Sequence, residues 1–147
     1  MNSSLKLLQI TDLHLLADPE DRLLGVDTAD SLRAVLRQAC SQARPDAILA
    51  TGDITHHAHS AAYARFDSVL AEFYDGPLLV LPGNHDESAP MQRFDEISEL
   101  RFAGWTVIGL DSHEDGKPGA RLTEAGLGAL KSACVAAAQR DDRVVVA

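Results

Sequence analysis

The chain has 147 residues and carries 13 Lys and Arg against 22 Asp and Glu, a formal net charge of −9 at pH 7. This length suits one domain with a core, and the 46% hydrophobic and 24% charged content excludes a disordered tail or a fibre. The acidic balance argues against a nucleic-acid surface, so an anionic substrate would need a local positive charge such as a metal ion.

No targeting or membrane signal is evident in the sequence. Residues 1–8 lack the succession of basic, apolar and small residues of a signal peptide, and no apolar run approaches the ~20 residues of a membrane span. Cys40 and Cys134 lie far apart in helix-like segments, which argues against a disulfide or a thiolate metal site. We therefore expect a cytoplasmic protein that contacts neither membrane nor nucleic acid.

Hydrophobic periodicity predicts strands that alternate with helices. Short apolar runs predict strands at residues 5–10, 47–50, 78–81, 105–110 and 144–146. Helical periodicity predicts helices at residues 31–43, with Thr28 or Asp30 as N-cap, at 60–74, and at 123–139, opened by Thr123 and Glu124. The residues expected on the inward faces are Leu32, Val35, Leu36 and Ala39; Tyr63, Phe66, Val69, Leu70 and Phe73; and Leu127, Leu130, Cys134 and Val135. This order predicts an α/β fold with a mostly parallel sheet flanked by helices.

The last predicted strand has an unusual position, because the chain ends inside it. Residues 143–147 read as a buried strand with no turn or polar tail after them. A strand of this composition is usually central in its sheet. We therefore expect a C-terminally truncated chain.

Polar residues follow three of the five predicted strands at the point where each ends. Asp12 and His14 follow the first strand, Gly52 and Asp53 the second, and the segment Gly-Asn-His-Asp at 83–86 the third. The carboxyl ends of parallel strands meet at one edge of a sheet, which is where functional groups gather. Each cluster alone could be a helix cap or a turn, but three at successive strand ends predict a site.

The residue types in these clusters indicate metal binding. Asp12 and His14, two residues apart on an extended segment, lie on the same side and can bind one ion together. Asp53 can bridge two ions with its two oxygens, Asn84 offers an amide oxygen, and His85 an imidazole. Such mixed ligands suit Mn²⁺, Fe, Zn²⁺ or Mg²⁺, and two such ions can hold a phosphate for in-line attack.

These motifs resemble the first three motif blocks of the calcineurin-like metallophosphoesterases. Further segments, with their residue numbers, are similar to the bacterial class III cyclic-nucleotide phosphodiesterases: LQITDLH at 8–14, LGVDT at 24–28, ATGDI at 50–54, LPGNHD at 81–86 and LDS at 110–112. The resemblance covers essentially the whole chain. It implies a metal-dependent phosphodiesterase that hydrolyses 3′,5′-cyclic AMP, or a related phosphodiester, with a metal-bound hydroxide.

The resemblance also implies a role for each matching residue. Asp12 and His14 would hold the first of two divalent ions of the Mn, Fe or Zn class, Asp53 would bridge both, and Asn84 would bind the second. Asn84 and His85 would contact the substrate, with His85 stabilising or protonating the leaving oxygen. Asp86 would orient the ring of His85.

The chain departs from the family pattern after the fifth predicted strand. Family members continue into a His-containing block and a Gly-His-x-His block, which supply three further metal ligands. Residues 1–147 are thus expected to form a single, incomplete metallophosphoesterase domain that lacks the C-terminal part of the two-sheet sandwich. We expect partial metal occupancy, and self-association into a homo-oligomer through exposed apolar sheet surface.

Two alternatives to a cyclic AMP phosphodiesterase stay open at this point. One is a broad-specificity phosphoesterase, because the motifs bind metal and phosphate and do not select the nucleoside. The other is an inactive or weakly active, self-associating fragment. Among the remaining polar residues, His56, His57 and His59 could line the substrate entrance, but their loop position favours solvated residues. Asp111 and Ser112 could approach the pocket or serve in a turn or cap.

Overall fold

The structure, a computed structural model, describes residues 4–91 and 97–147. Its elements in chain order are β1 (Leu7–Ile10), α1 (Thr28–Gln42), β2 (Ala47–Thr51), α2 (Ser60–Ala71), β3 (Leu78–Leu81), α3 (Ser88–Met91), β4 (Ile97–Phe102), β5 (Trp105–Leu110), α4 (Glu124–Gln139) and β6 (Arg143–Val146). All five predicted strands and all three predicted helices are present, and α3 and β4 are additional. Residues 1–3, part of the segment considered for a signal peptide, lie outside the described residues.

The first sheet is parallel and holds the three strands that precede the polar clusters. Its order is β1-β2-β3, with Ile10 paired to Ala50 and Thr51 paired to Leu81. The central strand β2 is buried along residues 47–50, as an apolar strand covered on both faces should be. This part of the predicted mostly parallel sheet is confirmed, and its strands all end at the same edge.

The second sheet contains the last two predicted strands and one strand that the sequence pattern did not indicate. β4 pairs antiparallel with β5, and β5 pairs parallel with β6. A two-residue turn joins β4 to β5, and its Gly104 has φ of +77°. Hairpin turns of this length need positive φ, which glycine adopts without a steric penalty.

The two sheets pack face to face, with α1 and α2 on the far side of the first sheet. Leu49, Leu79 and Leu81 of the first sheet are buried in one cluster with Val107 of β5. The larger cluster lies under the helices and includes Ile10, Leu36, Ile48, Phe66 and Leu70. β5 and its neighbours therefore cover this face of the first sheet, and the expected exposed apolar sheet surface does not lie there.

The last strand is at an edge and is partly exposed. Within residues 4–91 and 97–147, β6 pairs with β5 alone, and Val144 and Val146 keep 38% and 51% of their surface accessible. The expectation of a buried central strand at this position is therefore not met.

Helices α1 and α4 differ from prediction in the residues that they bury, and α1 also differs in its N-cap. Val35 of α1, and Leu127 and Val135 of α4, are about half exposed, while α4 buries Gly126, Ala133 and Ala137 instead. α1 is capped by Asp27, whose side chain accepts from the backbone N–H of Asp30 at 2.9 Å. Thr123 caps α4 through the backbone N–H of Gly126, as the sequence indicated.

Candidate metal centre

The site lies beyond the carboxyl ends of β1, β2 and β3, where three loops converge. The loops after β1 and β2 run side by side, because the backbone N–H of Asp12 donates to the carbonyl of Gly52 at 3.1 Å and that of His14 to the carbonyl of Asp53 at 2.9 Å. Leu15 continues the ladder with a bond to Ile54 at 3.0 Å. These bonds hold two of the three predicted clusters in one fixed arrangement.

The backbone at the expected ligands has the left-handed conformation. Asp12, His14 and Asp53 have φ of 55°, 45° and 47°, and Gly52 has φ of 101°. Positive φ is uncommon outside glycine and is found at functional sites, where the surrounding structure enforces it. Residues 12–14 therefore differ from the extended segment expected there, although the side chains of Asp12 and His14 still come together.

One carboxylate–imidazole group forms from the predicted residues. Asp12, His14 and Asp53 each offer one ligand atom, and these atoms all lie within 4.8 Å of one another. Nε2 of His14 is 3.7 Å from Oδ2 of Asp53, and the Thr11 hydroxyl donates to Oδ2 of Asp12 at 2.8 Å. Two carboxylates and an imidazole fit a hard or borderline divalent cation, so the donor set matches the expected metal.

The third loop is fastened to the second at Asp53. Oδ1 of Asp53 accepts from the backbone N–H of His85 at 3.0 Å. Gly83 lies so close that a Cβ there would be 2.2 Å from Oδ1 and 2.3 Å from the backbone nitrogen of Asp53. Glycine is required at position 83 for this approach, which brings Asn84 and His85 next to the carboxylate–imidazole group.

Asn84 and His85 differ in their surroundings. Asn84 is exposed between Gly83 and His85, and His85 is half-buried. Nδ1 of His85 lies 2.8 Å from the backbone carbonyl of His56. A carbonyl can only accept, so this nitrogen carries the proton, and Nε2 of the neutral ring has a free lone pair.

Asp86 has a different role from the one that the resemblance implies. Its buried carboxylate accepts five hydrogen bonds, from the backbone N–H groups of Ile54, Thr55 and Gly83 and from the hydroxyls of Thr55 and Tyr63, at 2.9–3.2 Å. The ring of His85 is held by the His56 carbonyl. Asp86 therefore joins the second and third loops to each other and to α2, which corrects the expected contact with the His85 ring.

Tyr63 belongs to the same buried network. Its hydroxyl donates to Asp86 at 2.9 Å and accepts from the backbone N–H of Glu87 at 3.3 Å. Burial, with the Asp86 carboxylate as a smaller contribution, raises the pKa of Tyr63 to about 12. The phenol stays protonated across the physiological range.

His56 lies at the site, although its loop position favoured a solvated residue. His57 and His59 are exposed as expected, and His59 caps α2 through the backbone N–H of Ala61. His56 is instead half-buried, with its ring centroid 5.4 Å from that of His14 and 5.2 Å from that of His85. Burial lowers the pKa of His56, and the nearby histidines add to the effect. The only sequence signal for this position was a histidine three residues beyond Asp53.

A cavity opens beside the carboxylate–imidazole group. The cavity has a volume of about 410 Å³, and it is lined by residues 9–13 at the end of β1 and by Thr28, Ser31, Leu32 and Val35 of α1.

Asp111 has a hydrogen bond that is typical of a turn. Its Oδ1 accepts from the backbone N–H of His113 at 2.7 Å.

The fold and this site define a calcineurin-like phosphoesterase. A family model with that description matches residues 5–131, and the chain belongs to this family. Among curated proteins, it is 40% identical over 145 residues to the 3′,5′-cyclic adenosine monophosphate phosphodiesterase CpdA of Pseudomonas aeruginosa, covering 95% of this chain and 53% of that protein. It is 39% identical over 132 residues to the phosphodiesterase of the same name in Escherichia coli K12, covering 81% and 46%. The chain thus spans about half the length of these relatives.

A solved structure supports the fold. A dimetal phosphatase from Danio rerio superposes with a TM-score of 0.62 at 13% identity, covering 97% of this chain and 68% of that one. The described residues contain no helix that is long and apolar enough to span a membrane.

Proposed function

We propose that this chain carries the first part of the active site of a metal-dependent phosphodiesterase whose substrate is 3′,5′-cyclic AMP or a related phosphodiester. The observation that carries the proposal is the convergence of Asp12, His14 and Asp53 within 4.8 Å at the edge where His85 also lies. The relatives named as cyclic AMP phosphodiesterases support the substrate class.

The proposed roles follow from the donor types and the contacts. Asp12, His14 and Asp53 would hold one divalent ion, and Asp53 with Asn84 would contribute to a second, the pair belonging to the Mn, Fe or Zn class. Such ions supply the positive charge that an acidic chain otherwise lacks for a phosphate. Thr11 orients Asp12, and the N–H of His85 orients Asp53.

His85 is the proposed acid for the leaving oxygen. Its Nδ1 proton is held by the His56 carbonyl, so the ring is fixed and Nε2 is the nitrogen available to the substrate. When Nε2 is protonated, it can donate to the departing alkoxide, a step that general acids typically accelerate by about 10²–10⁴-fold. Asp86 is a positioning residue, since it holds Gly83, Ile54 and Thr55 and hence both loops.

Three further properties belong to this proposal. Residues 1–147 would form part of one metallophosphoesterase domain. A cytoplasmic location fits Cys40 and Cys134, which are unpaired. Self-association would use the open edge of β6, where Val144 and Val146 are exposed, in place of the covered face of the first sheet.

The test compares hydrolysis of cyclic AMP and of bis-p-nitrophenyl phosphate by the 147-residue chain in Mn²⁺. Both His85→Ala and Asp53→Asn are expected to lose hydrolysis, with metal retained in the first and weakened in the second. His57→Ala, at an exposed ring, is the matched control and should keep wild-type rates.

The outcome separates the alternatives. Hydrolysis of cyclic AMP alone favours the proposed substrate, and equal hydrolysis of both favours a broad-specificity phosphoesterase. If the chain is folded and binds metal but hydrolyses neither substrate, an inactive fragment is favoured. Unchanged rates in His85→Ala contradict the role of this residue.

A further inference from the structure

Three imidazole rings meet at the site in a second group, which overlaps the carboxylate–imidazole group at His14. The ring centroids of His14 and His85 are 4.8 Å apart, and both lie within 5.4 Å of the centroid of His56. One ring nitrogen from each of the three lies within 4.8 Å of the other two. This second group of ligand atoms has one residue, His14, in common with the carboxylate–imidazole group.

The hydrogen bonds of these rings leave nitrogen atoms free for a cation. His85 donates its Nδ1 proton to the carbonyl of His56, which directs a lone pair to Nε2, and metal-binding histidines are commonly fixed by such a bond. Among the described residues, Nδ1 of His14 and Nδ1 of His56 are buried without a hydrogen-bond partner. Burying an unpaired polar atom is unfavourable, so each of these two rings has a nitrogen that lacks a compensating contact.

We propose that His14, His56 and His85 form a binding site for a borderline transition-metal ion such as Zn²⁺ or Co²⁺. Three neutral imidazoles favour these ions, whereas carboxylates with water favour Mn²⁺ or Mg²⁺. Nitrogen atoms around one such ion lie about 3–4 Å apart, because each Zn–N bond is about 2 Å, so the rings need to close by about 1 Å. All three rings lie within the described residues, and water would supply the fourth ligand.

An ion in this imidazole site would compete with the proposed reaction. It would compete with the carboxylates of Asp12 and Asp53 for His14, and it would occupy Nε2 of His85, which could then not carry the proton for the leaving oxygen. The binding itself does not depend on the proposed substrate or activity. It is therefore measured directly on the protein.

The experiment is a titration of the 147-residue chain with Co²⁺, followed by its visible d–d absorption, together with equilibrium dialysis against Zn²⁺ and Mn²⁺. His56→Ala is expected to weaken Zn²⁺ and Co²⁺ binding by at least about tenfold, a typical loss when a metal site is perturbed, and to leave Mn²⁺ binding unchanged. His57→Ala is the control, because this neighbouring ring is exposed. Asp12→Asn should show the opposite selectivity, weakening Mn²⁺ and sparing Zn²⁺, and asparagine tolerates the left-handed backbone there.

Two results would overturn the proposal: wild-type Zn²⁺ affinity in His56→Ala, or an equal loss in His57→Ala. If His56→Ala is misfolded by circular dichroism, His56→Gln replaces it, because glutamine keeps a polar side chain of similar size without an imidazole. If the wild-type chain shows no Mn²⁺-supported hydrolysis but binds Zn²⁺, the result contradicts the proposed function and still supports the imidazole site.

Discussion

Replacing Asp86 by asparagine is expected to destabilise the chain strongly, although the two side chains have nearly the same shape. A carboxylate only accepts, and here it accepts five hydrogen bonds. The asparagine amide must put an NH₂ group where one of the two oxygens was. If that group faces Oδ1's partners, the hydroxyls of Thr55 and Tyr63 can rotate to accept, but the backbone N–H of Thr55 is left unpaired.

The magnitude follows from these contacts. One buried N–H without a partner costs about 1–3 kcal/mol. The N–H groups of Ile54 and Gly83 would then meet a neutral carbonyl, which weakens each bond by roughly 1 kcal/mol. We therefore expect Asp86→Asn to lower the free energy of unfolding by about 3–5 kcal/mol. The alternative orientation leaves two backbone N–H groups unpaired and costs about 2–6 kcal/mol, which includes that range.

Urea denaturation followed by circular dichroism measures this loss. Tyr63→Phe is the comparison, because it removes one donor to Asp86 and leaves the other four; a loss of about 1–2 kcal/mol is expected. If Asp86→Asn were no less stable than Tyr63→Phe, the carboxylate would not be the junction between the two loops. If the asparagine variant were stable but inactive, a direct catalytic role would be favoured over a positioning one.

Three other outcomes are expected. Gly83→Ala should unfold the chain or abolish Mn²⁺ binding in dialysis, since its Cβ would overlap Asp53, while Gly119→Ala, with open space around it, should behave as wild type. Because the pKa of Tyr63 is raised from 10.0 to about 12, the stability that the protonated phenol contributes is fully present below about pH 10 and is lost as the pH rises through about 12. The free energy of unfolding in urea should fall by up to about 3 kcal/mol over this range, and Tyr63→Phe should largely remove the fall. The same pH dependence in Tyr63→Phe would contradict the assignment. Val144→Lys should shift any oligomer to monomer in light scattering, and an unaffected oligomer would exclude the β6 edge.

The sequence predicted the parallel sheet and the convergence of its strand ends because both depend on local patterns. Short apolar runs mark strands, and parallel strands necessarily place Asp12, Asp53 and His85 at one edge. The helix start at Thr123 was equally local, since capping depends on a side chain and a backbone N–H three residues away.

These local patterns do not predict features that depend on loop conformation or on the packing of helices against sheets. The inward position of His56 results from backbone bonds between the loops after β1 and β2, including the bond from its own N–H to the carbonyl of Leu15. α4 buries Ala133 and Ala137 because small residues permit close packing, whereas periodicity weights larger ones such as Leu127. The partners of Asp86 come from three separate segments, and no spacing in the sequence connects them.

The left-handed backbone at Asp12, His14 and Asp53 lowers the stability of the chain at the residues that are proposed to bind metal. Each such residue costs about 1–2 kcal/mol relative to a relaxed backbone, and glycine avoids much of that cost. Natural proteins commonly accept a less stable site where activity needs it. Selection of a variant library for thermal stability alone should therefore enrich glycine or asparagine at Asp12 and His14, while selection for metal binding should retain the original side chains.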